Sequence, residues 1–83
     1  MSAPVPPGFL SEPQIEKKLL KEATLAEFWR QHAPLLLFRS RPSAADPLYE
    51  IQLVWDLSDR IETYAWLWVD ARQGNIVRRF PED

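Results

Sequence analysis

The chain has 83 residues, enough for one domain and too few for two, with 46% hydrophobic residues, 27% charged residues and a net charge of −2. That balance gives no global electrostatic reason to bind nucleic acid or an anionic membrane, and no apolar run approaches the roughly 20 residues of a membrane-spanning helix. The chain has no cysteine, which excludes a disulfide framework, a thiolate nucleophile and a cysteine-based metal site.

The first ten residues, with Pro4, Pro6, Pro7 and Gly8, read as a flexible Pro-rich arm, and residues 11–83 as the single folded domain. Pro4-Val5-Pro6-Pro7 contains a minimal P-x-x-P, which can dock an aromatic groove; a frayed terminus is the simpler reading. No basic stretch followed by an apolar one marks a secretory signal, so a cytoplasmic location is expected.

A helix start follows. Ser11 is placed to be its N-cap and Gln14 to complete a capping box, with Pro13 in the first turn, where no N–H is needed. Leu10 and Ile15 stand at the positions of a hydrophobic staple. Ile15, Leu19 and Ala23 mark one face at helical spacing. Lys17, Lys18 and Lys21 belong to the solvated side of the same helix. Thr24-Leu25-Ala26-Glu27 offers a second capping box, and Leu25, Phe28, Trp29 and His32 form a stripe rotated from the first. One helix that bends near Thr24 and two short helices that meet there both fit. Pro34 ends the helical region.

From there the pattern is that of strands. Four are predicted: 35–41, 49–57, 61–70 and 75–80, with Pro42 to Pro47 a loop by composition. Tyr49–Leu57 alternates, with Tyr49, Ile51, Leu53, Trp55 and Leu57 on one side. Gly74 suits a left-handed position in the last turn, and Asp70 is placed to accept backbone N–H groups there. The expected fold is α+β: an N-terminal helix, straight or broken, packed on a four-stranded antiparallel sheet.

Tyr49-Glu50-Ile51, followed after a strand by Trp68-Val69-Asp70-Ala71-Arg72-Gln73-Gly74-Asn75-Ile76, resembles the PepSY family, whose pattern is helix, strand, "YEV" strand and a V-D-A-x-x-G-x-V hairpin. The likeness extends over residues 12–80, with its specific part in some fifteen of them. It implies a small non-catalytic module that binds and restrains a peptidase or another partner. The helical region here is longer than the family's.

Tyr64 to Val69, YAWLWV, is apolar on both faces of a strand. If Leu57 pairs with Ile61 across a three-residue turn, Ile61, Thr63, Ala65, Leu67 and Val69 join the Tyr49–Leu57 core face. Tyr64, Trp66 and Trp68 then fall on the opposite face beside Val54, with Val77 and Arg79 across from the two tryptophans. These six residues are the predicted partner-binding surface, for another protein (a peptidase or a complex subunit) or for a second copy in a homodimer or larger assembly. A four-residue turn would exchange the two faces, because a one-residue shift flips every side chain. Cover of the aromatic face by the N-terminal arm or the second helical segment is a further possibility.

Candidate chemistry is sparse. His32, the single histidine, has no nucleophile and orienting group at recognisable spacing, so no catalytic residue is assigned. Asp56, Asp59 and Glu62 lack the spacing and glycine of a calcium loop and read as turn residues. No metal and no cofactor is expected. Arg39, Arg41, Arg78 and Arg79 would make a basic patch with Trp if the first and last strands were close, but acidity and pattern argue against nucleic acid.

Overall fold

The computed structural model describes residues 6–82. Two helices, α1 (Glu12–Leu20) and α2 (Ala26–Arg30), lie against one face of a four-stranded antiparallel sheet of β1 (Pro34–Ser40), β2 (Leu48–Leu57), β3 (Arg60–Asp70) and β4 (Ile76–Phe80). The strands follow chain order, so β1 and β4 are the two edges.

The α1 start forms as its residues dictate. The Ser11 hydroxyl accepts from Gln14 N–H, and the Gln14 side chain accepts from Ser11 N–H at 2.8 Å. The helical region is two helices joined by a 3-10 turn over Ala23–Leu25. The second capping box does not form: Thr24 Oγ1 donates to the Glu22 carboxylate at 3.2 Å, and α2 has no side-chain cap. Tertiary contacts secure the break instead. Trp29 Nε1 donates to Leu19 O at the end of α1, at 3.0 Å, and Trp55 Nε1 to Phe28 O in α2, at 3.2 Å. Each bond brings a second donor to a helix-end carbonyl that also accepts a backbone N–H, Leu19 O from Glu22 and Phe28 O from Gln31.

The core lies between these layers. Ile15, Leu19, Leu25 and Phe28 come from the helical side, and Tyr49, Ile51, Leu53, Ala65, Leu67, Val69 and Ala71 from the sheet. Ala23 is exposed, because the chain leaves the α1 stripe at that point. Phe28 is the hub of an aromatic cluster, with ring centroids 5.0 Å from Trp29, 6.0 Å from Trp55 and 5.3 Å from Tyr64.

Phe9 and Leu10, which the sequence places in the arm, pack against this core. Leu10 N–H donates to Ala71 O at 2.7 Å, and Tyr49 hydroxyl donates to Leu10 O at 2.6 Å. Pro4 and Val5 of the P-x-x-P lie outside the described residues.

Candidate functional site

The sheet face away from the helices is built by β-pairing. Leu57 pairs with Arg60, so the hairpin turn has two residues, Ser58 and Asp59, and not the expected three. The pairing nevertheless places Leu53 opposite Ala65, Ile51 opposite Leu67 and Tyr49 opposite Val69, as a three-residue turn would. A β-bulge makes up the difference. Val54 pairs with Thr63 and Leu53 with Ala65, which leaves Tyr64 as the extra residue.

That bulge moves Tyr64. Its ring stacks on Phe28 and lies 5.2 Å from Trp55, on the helix side and not on the aromatic face. Arg79 moves with it. Asp70 N–H bonds Asn75 O as expected, and Val69 pairs with Ile76, but the next pair is Trp68 with Arg78. Val77 is therefore a second bulge residue, half-exposed and paired with neither tryptophan. Arg79, opposite Leu67, reaches over the Tyr64 ring and donates from Nη2 to its hydroxyl at 3.1 Å. Arg79 Nε is buried and makes no hydrogen bond.

Of the six predicted residues, Trp66, Trp68 and Val54 thus share the open face, and two neighbours were missed. Arg78 packs over Trp68, 4.8 Å from the ring, and Phe80 stands opposite Trp66. The register defines three rows across the strands: Leu35–Val54–Thr63, then Leu37–Gln52–Trp66–Phe80, then Glu50–Trp68–Arg78. Val54 is fully buried in its row, Trp66 and Trp68 are half-buried, and Leu35 and Phe80 are exposed at the edges. A polar chain crosses the middle: Arg39 Nε donates to Gln52 Oε1 at 2.9 Å, and Gln52 Nε2 to Thr63 Oγ1 at 2.7 Å. The buried residues of both helices, with Phe9 and Leu10, pack with the opposite face.

The other candidates disperse. Arg39 and Arg41 belong to the β1 edge and Arg78 and Arg79 to the β4 edge, with two strands between them, so the basic cluster is not assembled. Asp59 pairs with Arg60 at 3.1 Å, Glu62 reaches the same guanidinium at 4.0 Å, and both are largely exposed. His32 is exposed between α2 and β1. Among the described residues no three His, Cys, Asp or Glu side chains gather around a common point, and no helix is long and apolar enough to cross a membrane. Asp70 does hold the last turn, its Oδ1 accepting from Arg72 N–H at 2.7 Å and Gln73 N–H at 3.2 Å.

No family model, no curated protein and no solved structure matches the chain.

Proposed function

We propose that the chain is a non-catalytic, PepSY-like binding module that docks a partner protein on the open face of its sheet and acts by occupying that partner's surface. The family likeness rests on the Tyr49-Glu50-Ile51 and Trp68–Ile76 segments. The observation that carries the docking reading is the placement of Trp66 and Trp68 in adjacent rows, with Leu37, Phe80 and Arg78 beside them, on a face without a helix. Aromatic and arginine side chains supply most of the binding energy in protein interfaces. Trp29 and Trp55 are committed to helix carbonyls, and the other two are not.

Docking by strand addition is less favoured. The β1 edge begins with Pro34 and bulges at Arg39, and β4 has only five residues and a bulge at Val77. Such features blunt an edge against a further strand.

The test pairs stability with capture. Trp66→Ala and Trp68→Ala should each cost about 1 kcal/mol or less in urea unfolding, whereas Leu53→Ala or Leu67→Ala should cost about 2–5 kcal/mol. The folded Trp66/Trp68 double variant should then lose a protein that the wild type retains from lysate, with the loss reproduced using that protein purified. If the Trp changes unfold the chain as readily as the Leu changes, the face is structural and the reading falls.

A further inference from the structure

Resting on the docking reading above, we propose that the resident occupant of the open face is a second copy of this chain, packed sheet on sheet, which any other partner must displace. Size is the first argument. The molecule measures 37 × 30 × 20 Å. Four strands about 4.8 Å apart and some seven residues long cover roughly 450 Å² in plan. With the relief of its side chains the face comes near the roughly 600 Å² per partner of the smallest specific interfaces. The area therefore suits a weak, exchangeable dimer and not an obligate one.

Charge is the second argument. The face carries Arg39 and Arg78 against Glu50 and Asp56, two of each sign. A surface shaped for a strongly acidic or basic partner would carry one sign; a neutral one meets its own copy without net repulsion. Symmetry is the third. A two-fold axis laid along the Leu37–Gln52–Trp66–Phe80 row sets each of these residues against its own copy and the Leu35–Val54–Thr63 row against the Glu50–Trp68–Arg78 row, an isologous contact. Arg39 and Arg78 both lie off that row, on the same side of it, so the rotation carries each to the other side and away from its own copy. The bulged edges leave strand-to-strand dimerisation without a straight ladder.

Sedimentation equilibrium of the full chain, over about 5–500 μM, tests this in the concentration range of a weak dimer. The apparent mass should climb from 9.7 kDa toward twice that value. Trp66→Arg should weaken self-association by about 30-fold or more, and Phe80→Arg by about 10-fold. If Trp66→Arg unfolds the chain, Phe80→Arg decides, because Phe80 is 61% exposed and its change leaves the core intact. A mass of 9.7 kDa at every concentration overturns the second copy, as does a dimer that neither variant weakens. A monomeric wild type whose folded Trp66/Trp68 variant still loses a captured protein removes only the second copy. Unfolding by the alanine changes removes the docking reading as well.

Discussion

Tyr49 ties the sheet to the N-terminal segment through one side chain. Its ring is fully buried, with the Phe38 ring edge-on at 5.5 Å, and its hydroxyl donates to Leu10 O at 2.6 Å. Burial raises the hydroxyl above the usual tyrosine range, Glu12 adds to the rise and Arg41 opposes it. A group whose folded pKa is raised stabilises the fold while protonated, and that share is lost as the pH climbs from the unfolded value, about 10, through the folded one. Stability measured by urea unfolding should therefore hold from neutral pH to about pH 9 and fall above about pH 10. Tyr49→Phe should lower stability at neutral pH, by the lost hydrogen bond of about 1 kcal/mol, and flatten the alkaline fall. An equally steep fall in that variant would assign the pH dependence to other groups. The tryptophans show what residue identity alone leaves open. Trp29 and Trp55 are held by single hydrogen bonds to Leu19 O and Phe28 O, long-range contacts that no local spacing encodes.

Among the elements, pattern was legible where one face is buried. Tyr49, Ile51 and Leu53 alternate against Ala65, Leu67 and Val69, and that half of the β2–β3 pairing follows from the sequence. Near the turn Ile61 is exposed and Leu57 only half-buried among polar neighbours, so little apolar burial fixes the register there. A two-residue turn with a bulge at Tyr64 and a three-residue turn without one give the same pairing further on. They differ between the turn and Tyr64. With the bulge, Ile61 and Thr63 leave the core face expected of them, Ile61 to stand opposite Asp56 and Thr63 opposite Val54. The aromatic cluster around Phe28 holds Tyr64 on the helix side. Val77 repeats the lesson at β4, where the bulge exchanges the parts expected of Arg78 and Arg79. Turn chemistry was easier to read, since Asp70 and Gly74 act within a few residues. Gly74 has φ +79°, and its N–H donates to Asp70 O at 2.7 Å. A Cβ there would come within contact of the Lys18 side chain, which lies across the turn from α1. Gly74→Ala should cost about 1–2 kcal/mol for the left-handed backbone, and more for displacing Lys18. In a Lys18→Ala background the same change should cost less, keeping the backbone share and a small shift of Leu10 Cδ1, 3.1 Å from the added Cβ. Equal cost in both backgrounds would mean that Lys18 moves aside freely.

At the scale of the whole molecule, sequence reading divided the chain one segment too late. It ended the arm at residue 10, where proline and glycine stop dominating the composition. Phe9 and Leu10 are held by what lies far along the chain: Ala71 O accepts from Leu10 N–H at 2.7 Å, while Ala71 N–H donates to Pro47 O at 2.9 Å. Arg72 stands over the Phe9 ring at 5.1 Å, and Tyr49 holds Leu10 O. One short stretch, Ala71-Arg72, thus joins the N-terminal segment, the β1–β2 loop and the β3–β4 turn. In so small a domain, where the core alone gives a narrow margin, that closure should matter to stability. A chain beginning at Ser11 loses two hydrogen bonds and the Phe9 and Leu10 packing. Relative to a chain beginning at Pro6, it should be less stable by about 2–4 kcal/mol in urea unfolding. The loss should also accelerate amide exchange at Ala71 and in the last turn more than in central β2, because local opening precedes global unfolding where contacts are few. If the two chains unfold at the same urea concentration, the clasp contributes nothing and the domain begins at the α1 cap.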